Sequence, residues 1–201
     1  MIKVIVFDFD GTLYNGWVWD GWSDYIENFL NKFFKSEKEK NEFLKSFVQG
    51  YEYLDERAIC EGLIQKFGTA KPMLDYLENE FYPYKANNLK FVSQDFLKNL
   101  AKTHHLYIVS NTPDKSVKIH LKNNGIDSSI FESVIYNACD KLGASKDLKF
   151  GEIMKKENVL PSEVLVVGDS YELDILPAKK LNMQTLLVRT LDDIYNFDFN
   201  N

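Results

Sequence analysis

Cysteine is nearly absent from this chain: Cys60 and Cys139 are the only two in 201 residues. They stand far apart and match neither a disulfide framework nor a metal-ligand spacing. That excludes a disulfide-stapled scaffold and predicts ordinary thiols in a reducing compartment. Long apolar runs are missing too. No stretch approaches the ~20 residues of a membrane span, and the N-terminal IKVIVF is too short for a signal peptide and ends at an acid. Arginine is confined to Arg57 and Arg189, and the net charge is -6. The overall field therefore opposes nucleic acid and anionic membranes, and a phosphorylated ligand has to be drawn in by a local cation. Internal repeats and low-complexity tracts are also lacking. What remains is a globular composition, 45% hydrophobic and 27% charged. We expect a soluble cytoplasmic protein with neither nucleic acid nor membrane as partner, and an oligomeric state, monomer included, that the sequence leaves open.

The apolar residues that are present come in short runs rich in Val, Ile and Leu. Residues 2–7, 106–109 (LYIV), 134–136 (VIY), 164–167 (VLVV) and 185–188 (TLLV) suit strands buried on both faces. Helical spacing separates them over about 91–102, 113–124 (with Gly125 placed as a stop), 147–157 and 173–182. Alternating strands and helices predict an α/β fold with a Rossmann-like parallel sheet. One interval breaks the rhythm. About eighty residues follow the first strand without a strong strand signal, where a βα connection normally takes ~2–6. Apolar positions there recur at three- and four-residue spacing, as in Ile26, Phe29, Leu30 and Phe33, over 24–35, 37–49, 56–67 and 70–81. An α-helical bundle inserted after the first strand accounts for this. It predicts a core of 1–14 with 86–201 and a helical cap domain of 15–85. The Lys/Glu run from Lys35 to Lys40 reads as a solvated helix surface.

Polar residues stand at the ends of the apolar strands. The first strand delivers Asp8 and Asp10, the second Ser110 and Asn111, and the fourth Gly168, Asp169 and Ser170, with Asp174 shortly after. In a doubly wound sheet, ligands bind beyond the carboxyl ends of the strands. Acids gathered there repel one another unless a cation intervenes, and Mg²⁺ favours such oxygen ligands while keeping room for water and a phosphate. A carboxylate can attack phosphorus, and a second can protonate the leaving oxygen and then activate water. Residues i and i+2 of a strand share a side, which explains Asp-x-Asp. Gly11 permits a sharp departure there, and Thr12 can satisfy nearby backbone groups. The phosphoryl oxygens need donors and positive charge: Ser110 supplies a hydroxyl, backbone N–H groups after it add donors, and Lys146 is the preferred cation, with Lys141 and Lys149 as rivals.

With these residues in place the sequence resembles the haloacid dehalogenase-like (HAD) hydrolase superfamily, mostly Mg²⁺-dependent phosphatases. Asp8 to Leu13 matches its D-x-D-G-T-L motif, LYIVS its second motif at Ser110, and VLVVGDSYELD its fourth. The lysine motif is the weakest match, since Lys146 is followed by Asp147 rather than proline. DILPAKKLNM is similar to the family's D-I-x-x-A-x-x-A-G-M helix, though Pro177 and Asn182 are not the commonest residues there. The resemblance implies a Rossmannoid core with a cap after the first motif. It implies Asp8 as nucleophile and Mg²⁺ ligand, and Asp10 as acid/base and main-chain metal ligand. Asp169 would be a metal ligand and Asp174 a support. It also implies a small phosphorylated metabolite as substrate. Dehalogenating members commonly lack the second acid, so Asp10 favours phosphate chemistry.

Other residues read more plainly. Trp17, Trp19 and Trp22 either stack on a substrate ring or anchor the cap, and anchoring is the commoner use of large aromatics. Arg57 either reads a second anionic group or pairs with surface acids. His104, His105 and His120 lack metal spacing and read as structural. The leading expectation is hydrolysis of small phosphate monoesters through an aspartyl-phosphate. The alternatives are a sugar-phosphate phosphomutase of β-phosphoglucomutase type and a receiver-like phospho-acceptor, the latter disfavoured by the inserted helices.

Overall fold

Five apolar runs become five parallel strands. The structure, a computed structural model, describes residues 1–15, 22–48, 56–80, 89–137 and 145–199, with positions 22, 23, 56, 57 and 78 described by their backbone alone. The described residues form two compact units, one built on a parallel sheet and one from helices.

The sheet unit opens with β1 (Val4–Phe7), followed by the short β2 (Tyr14–Asn15). After the helical unit the chain continues through β3 (Lys90–Phe91), α5 (Gln94–Leu100), β4 (His105–Ser110), α6 (Asp114–Asn123) and β5 (Ser133–Tyr136). It ends with α7 (Asp147–Glu157), β6 (Val164–Gly168), α8 (Leu176–Lys180), β7 (Gln184–Leu187) and α9 (Leu191–Tyr195). The sheet order is β5-β4-β1-β6-β7. Strand order thus reverses beside β1, which is the switch point where such sheets open a crevice. All residues of β1 and β6 are buried, as expected for strands covered on both faces. Register sets the strand ends level: Phe7 pairs with Ile108 on one side and Val167 on the other. Side chains of Val4, Val6, Tyr107, Val109, Val164 and Val166 pack with Phe150 and Ile153 of α7.

The helical unit contains α1 (Trp22–Phe33), α2 (Glu37–Phe47), α3 (Glu56–Phe67) and α4 (Lys71–Glu80). It has a core of its own, in which Ile26, Phe29 and Leu30 meet Phe43, Ile59, Leu63 and Met73. Ser36 caps α2 by accepting a hydrogen bond from the Glu39 N–H. The solvated run ends one residue early. Lys40 is buried, because its stem lies along the core while its ammonium is satisfied by Asn31 Oδ1 at 2.7 Å and Glu37 Oε1 at 2.8 Å. No helix among the described residues is long and apolar enough to cross a membrane.

Two local features differ from the sequence reading. The two-residue ribbon β2–β3, pairing Tyr14 with Phe91, carries too few residues for a periodic signal. The helix expected from residue 173 begins as a π-helical turn over Tyr171–Ile175 before α8, a form often found at functional positions.

The histidines serve packing and pairing. His104 is buried and bonds the Phe199 carbonyl at 3.0 Å, tying down the C-terminus, while His105 pairs with Glu157. His120 is buried on α6 with its ring 5.9 Å from that of Phe9, and burial lowers its pKa from 6.5 to about 4. Below pH 6.5 the unfolded chain therefore takes up a proton that the folded chain refuses. Stability contributed by the neutral ring is complete above 6.5 and falls away as pH drops toward 4. We expect His120→Phe to remove about 2–3 kcal/mol of this acid sensitivity, at about 1.4 kcal/mol per pH unit. Urea unfolding of both proteins at pH 7 and pH 4.5 measures it; parallel losses in the two would contradict the assignment.

Candidate active site

The loops after β1, β4 and β6 bring acids and hydroxyls together at the carboxyl edge of the sheet, and the start of α7 adds one lysine. Asp8 directly follows β1, is largely buried, and is anchored by its own N–H to the Val167 carbonyl at 2.8 Å. Lys146, at the start of α7, is 3% exposed and places Nζ 2.6 Å from Asp8 Oδ1 and 2.6 Å from Asp174 Oδ1. Thr12 donates to the other Asp8 oxygen at 3.3 Å, so its hydroxyl serves a side chain rather than the backbone groups expected from sequence. Burial by itself would pull the Lys146 ammonium down. The charges of Asp8 and Asp174 outweigh it and hold that pKa above the ordinary lysine value.

Asp10 is held apart from this cluster. Tyr14 donates to its Oδ1 at 2.5 Å, Thr112 to its Oδ2 at 2.6 Å, and Ser110 more distantly at 3.4 Å. Burial, and then the charge of Asp8, raise the Asp10 carboxyl above the usual range, with the Thr112 and Tyr14 hydrogen bonds pulling partly the other way. Ser110 is fully buried, and its Oγ accepts from the Thr112 N–H at 3.0 Å. The Asn111 side chain accepts from Asn137 Nδ2 at 3.0 Å, while the Asn137 N–H donates to the Ser110 carbonyl at 2.7 Å.

Asp169 and Asp174 follow β6. The π-helical turn swings Asp174 back so that its Oδ2 accepts from the Ser170 N–H at 3.0 Å and its Oδ1 meets Lys146. Gly168 makes this possible, because a Cβ there would overlap the Asp174 side chain. Gly11 has φ +72°, and a Cβ on it would overlap the Asp169 carboxylate. The glycine of the first motif thus meets both a backbone and a space requirement. Asp8, Asp169 and Asp174 each offer an oxygen within 4.8 Å of one another, with neither histidine nor cysteine in the group. Burial, then the neighbouring Asp8 charge, push Asp169 up to about 7 and Asp174 up to about 6. Such a set of hard oxygen donors under mutual repulsion fits a divalent cation of the Mg²⁺ kind.

The residues expected from sequence are thus distributed as follows. Asp8, Lys146, Asp169 and Asp174 form one cluster, and Asp10 and Ser110 lie in an adjoining hydroxyl network. Asn111 follows, held by Asn137. Lys149 instead pairs with Glu152, while Lys141, Trp17 and Trp19 lie outside the described residues, and Arg57, on α3, is described by its backbone alone. Tyr14, Thr112 and Asn137 join the site although no motif marks them. The only signal in the sequence was the closeness of Thr112 to Ser110; Tyr14 and Asn137 enter through pairings of the folded chain.

Structures of known proteins share this architecture. A haloacid dehalogenase-like family hydrolase from Streptococcus pneumoniae superposes with a TM-score of 0.57 at 19% identity, over 97% of this chain and 90% of that one. A predicted phosphoglycolate phosphatase from Haemophilus somnus gives 0.57 at 24% identity, over 92% and 84%. A HAD-family enzyme from Bacteroides thetaiotaomicron, solved with magnesium and inorganic phosphate, gives 0.51 at 20% identity, over 100% and 98%. At these identities the likeness is one of fold. No curated protein matches the chain. The family model of the haloacid dehalogenase-like hydrolases does match, over residues 2–182, a range that includes α1–α4 and every site residue described above. This chain belongs to the haloacid dehalogenase-like hydrolase family.

Proposed function

We propose that this protein is a Mg²⁺-dependent phosphatase that hydrolyses small phosphate monoesters through an aspartyl-phosphate on Asp8. The observation that carries the reading is the different setting of the two acids of the first motif. Asp8 is paired with a buried ammonium, whereas Asp10, two residues on, accepts from the neutral hydroxyls of Tyr14 and Thr112 and has its pKa raised. Two carboxyl groups in environments that diverge in this way suit a nucleophile and a proton carrier.

The residues then divide the work. Asp8 Oδ forms a bond to phosphorus as the ester P–O bond breaks, and Asp10 gives its proton to the leaving oxygen. Water next adds to phosphorus, its proton passes to Asp10, and the Asp8–phosphorus bond breaks to release inorganic phosphate. Lys146, the Ser110 hydroxyl and the main-chain N–H of Asn111 hold the phosphoryl oxygens. Lys146 is the local cation that a chain of net charge -6 requires for an anionic substrate. Asp8 and Asp169, with the main-chain carbonyl of Asp10, would hold Mg²⁺, and Asp174 would support the metal and Lys146. When bound, the ion supplies positive charge against the phosphate oxygens and relieves the repulsion among the acids. The magnesium and phosphate bound to the Bacteroides structure support this choice by fold likeness. We assign 1–14 with 86–201 as the catalytic core and 15–85, which contains α1–α4, as a cap that selects the substrate. Trp17, Trp19 and Arg57 are the candidate selecting residues.

A screen of metabolite monoesters for released phosphate tests the reading. We expect turnover with Mg²⁺ and its loss with a chelator. Turnover that survives the chelator, or silence across the panel with Mg²⁺ present, would overturn it. Isomerised product without free phosphate would point to a mutase, and a stable phosphoenzyme without turnover to a phospho-acceptor.

A further inference from the structure

We propose that Tyr14 and Thr112 are positioning residues, which together clamp the Asp10 carboxyl in the orientation it needs to carry the proton. The inference rests on the phosphatase reading above and adds to it two side chains that the motifs do not name.

Tyr14 is 1% exposed, so a phenol hydroxyl has been placed in the interior, where it requires a partner. The partner is Asp10 Oδ1 at 2.5 Å. The ring has little freedom: it meets Phe9 edge-on at 5.3 Å and Phe91 at 4.9 Å. Its backbone is tied into the β2–β3 ribbon, with the Val92 N–H on the Leu13 carbonyl at 2.9 Å. Thr112 approaches from the loop after β4, 102 residues away in sequence, and donates to Asp10 Oδ2 at 2.6 Å. Its own N–H bonds Ser110 Oγ at 3.0 Å.

An aspartate's terminal torsion is soft and roughly two-fold, so a single donor would leave the carboxyl free to turn. Donors on both oxygens fix its plane. Both are neutral, so they orient Asp10 without adding a cation beside it, unlike Lys146 beside Asp8. Orientation matters because Asp10 must give its proton to the leaving oxygen as the ester bond breaks, then take one from water as the Asp8–phosphorus bond breaks. Misplacement of a reacting group by about 1 Å can cost roughly 10²-fold.

The test compares Tyr14→Phe, Thr112→Val and Thr112→Ser on two substrates. One is an alkyl phosphate, whose leaving oxygen needs a proton; the other is p-nitrophenyl phosphate, whose leaving group departs without one. Urea unfolding of each variant accompanies the kinetics. We expect Tyr14→Phe and Thr112→Val to lower kcat on the alkyl phosphate by about 10- to 100-fold, a part of what general acid–base catalysis supplies, with KM little changed. On p-nitrophenyl phosphate the first turnover should stay close to wild type and the steady state should slow, giving a burst of nitrophenol. Thr112→Ser should restore the rate. In an Asp10→Ala background, Tyr14→Phe should cost nothing further, since residues acting through one group are not additive. Wild-type kcat in Tyr14→Phe and Thr112→Val, a rise in KM alone, or an undiminished loss in the Asp10→Ala background would overturn the clamp while leaving the phosphatase reading intact. Full alkyl-phosphate turnover in Asp10→Ala would overturn the clamp and the acid–base role together.

Discussion

Asp8→Asn is expected to lower turnover by roughly 10³-fold or more, the scale of losing an attacking group, in a protein that still folds. The amide keeps the size of the carboxylate; its oxygen can still accept from Lys146, and its NH2, in the place of the second oxygen, can donate to the Thr12 hydroxyl, which turns to accept. The main-chain anchor from Asp8 to Val167 is independent of the side chain. Lys146 keeps Asp174 as a counter-ion at 2.6 Å, so the buried ammonium is not orphaned. What disappears is an anionic oxygen able to bond phosphorus. Phosphate release on the best substrate from the screen, read beside a urea unfolding curve, checks both halves. Turnover near wild type would remove Asp8 from the nucleophile's place.

Lys146→Met should have the largest effect on stability. The wild-type ammonium lies between two carboxylates whose side chains are 10% and 2% exposed. Methionine fills much of the same volume but leaves Asp8 and Asp174 facing each other without a cation. Breaking a buried pair from one side costs about 3–5 kcal/mol. The sign with pH follows from the carboxyls. Asp174 already stands at about 6, raised by burial and by the charge of Asp8, and Lys146 is one of the groups that pull it down. Removing the lysine raises it further, so the folded variant binds protons more readily than the unfolded chain. Its stability therefore recovers as pH falls through that raised pKa and is lowest at alkaline pH. Urea unfolding of the metal-free variant at pH 5 and pH 8 should show the smaller deficit at pH 5. A deficit that grows on acidification would contradict the placement of Lys146 between these acids. Phosphate release should fall as well, since the same ammonium is the proposed anchor for the phosphoryl oxygens.

These expectations differ in how much of them could be read from the chain alone. Runs such as VIVF and VLVV mark buried parallel strands because a strand covered on both faces has no polar side to show, and the five strands fall within two residues of the expected bounds at each end. The spacing of Ile26, Phe29, Leu30 and Phe33 marks α1 for a similar reason, since a helix with one buried face repeats its apolar residues every three or four positions. Acids standing directly after such strands are legible as well. Strand ends in a parallel sheet share an edge, so Asp8, Ser110 and Asp169 are near neighbours once the register is set.

Local pattern therefore determined the α/β class, the inserted helices, the family motifs and the acids at the sheet edge, because each depends on residues close in sequence or on a repeat with a fixed period. Tertiary structure alone decided which lysine enters the acids, that Lys40 is buried, that Asp174 turns back toward Lys146, and that Tyr14 and Thr112 take the two oxygens of Asp10. Those contacts join positions up to 138 residues apart. Their partners are chosen by the direction in which each side chain leaves a packed backbone, and no local periodicity encodes that direction.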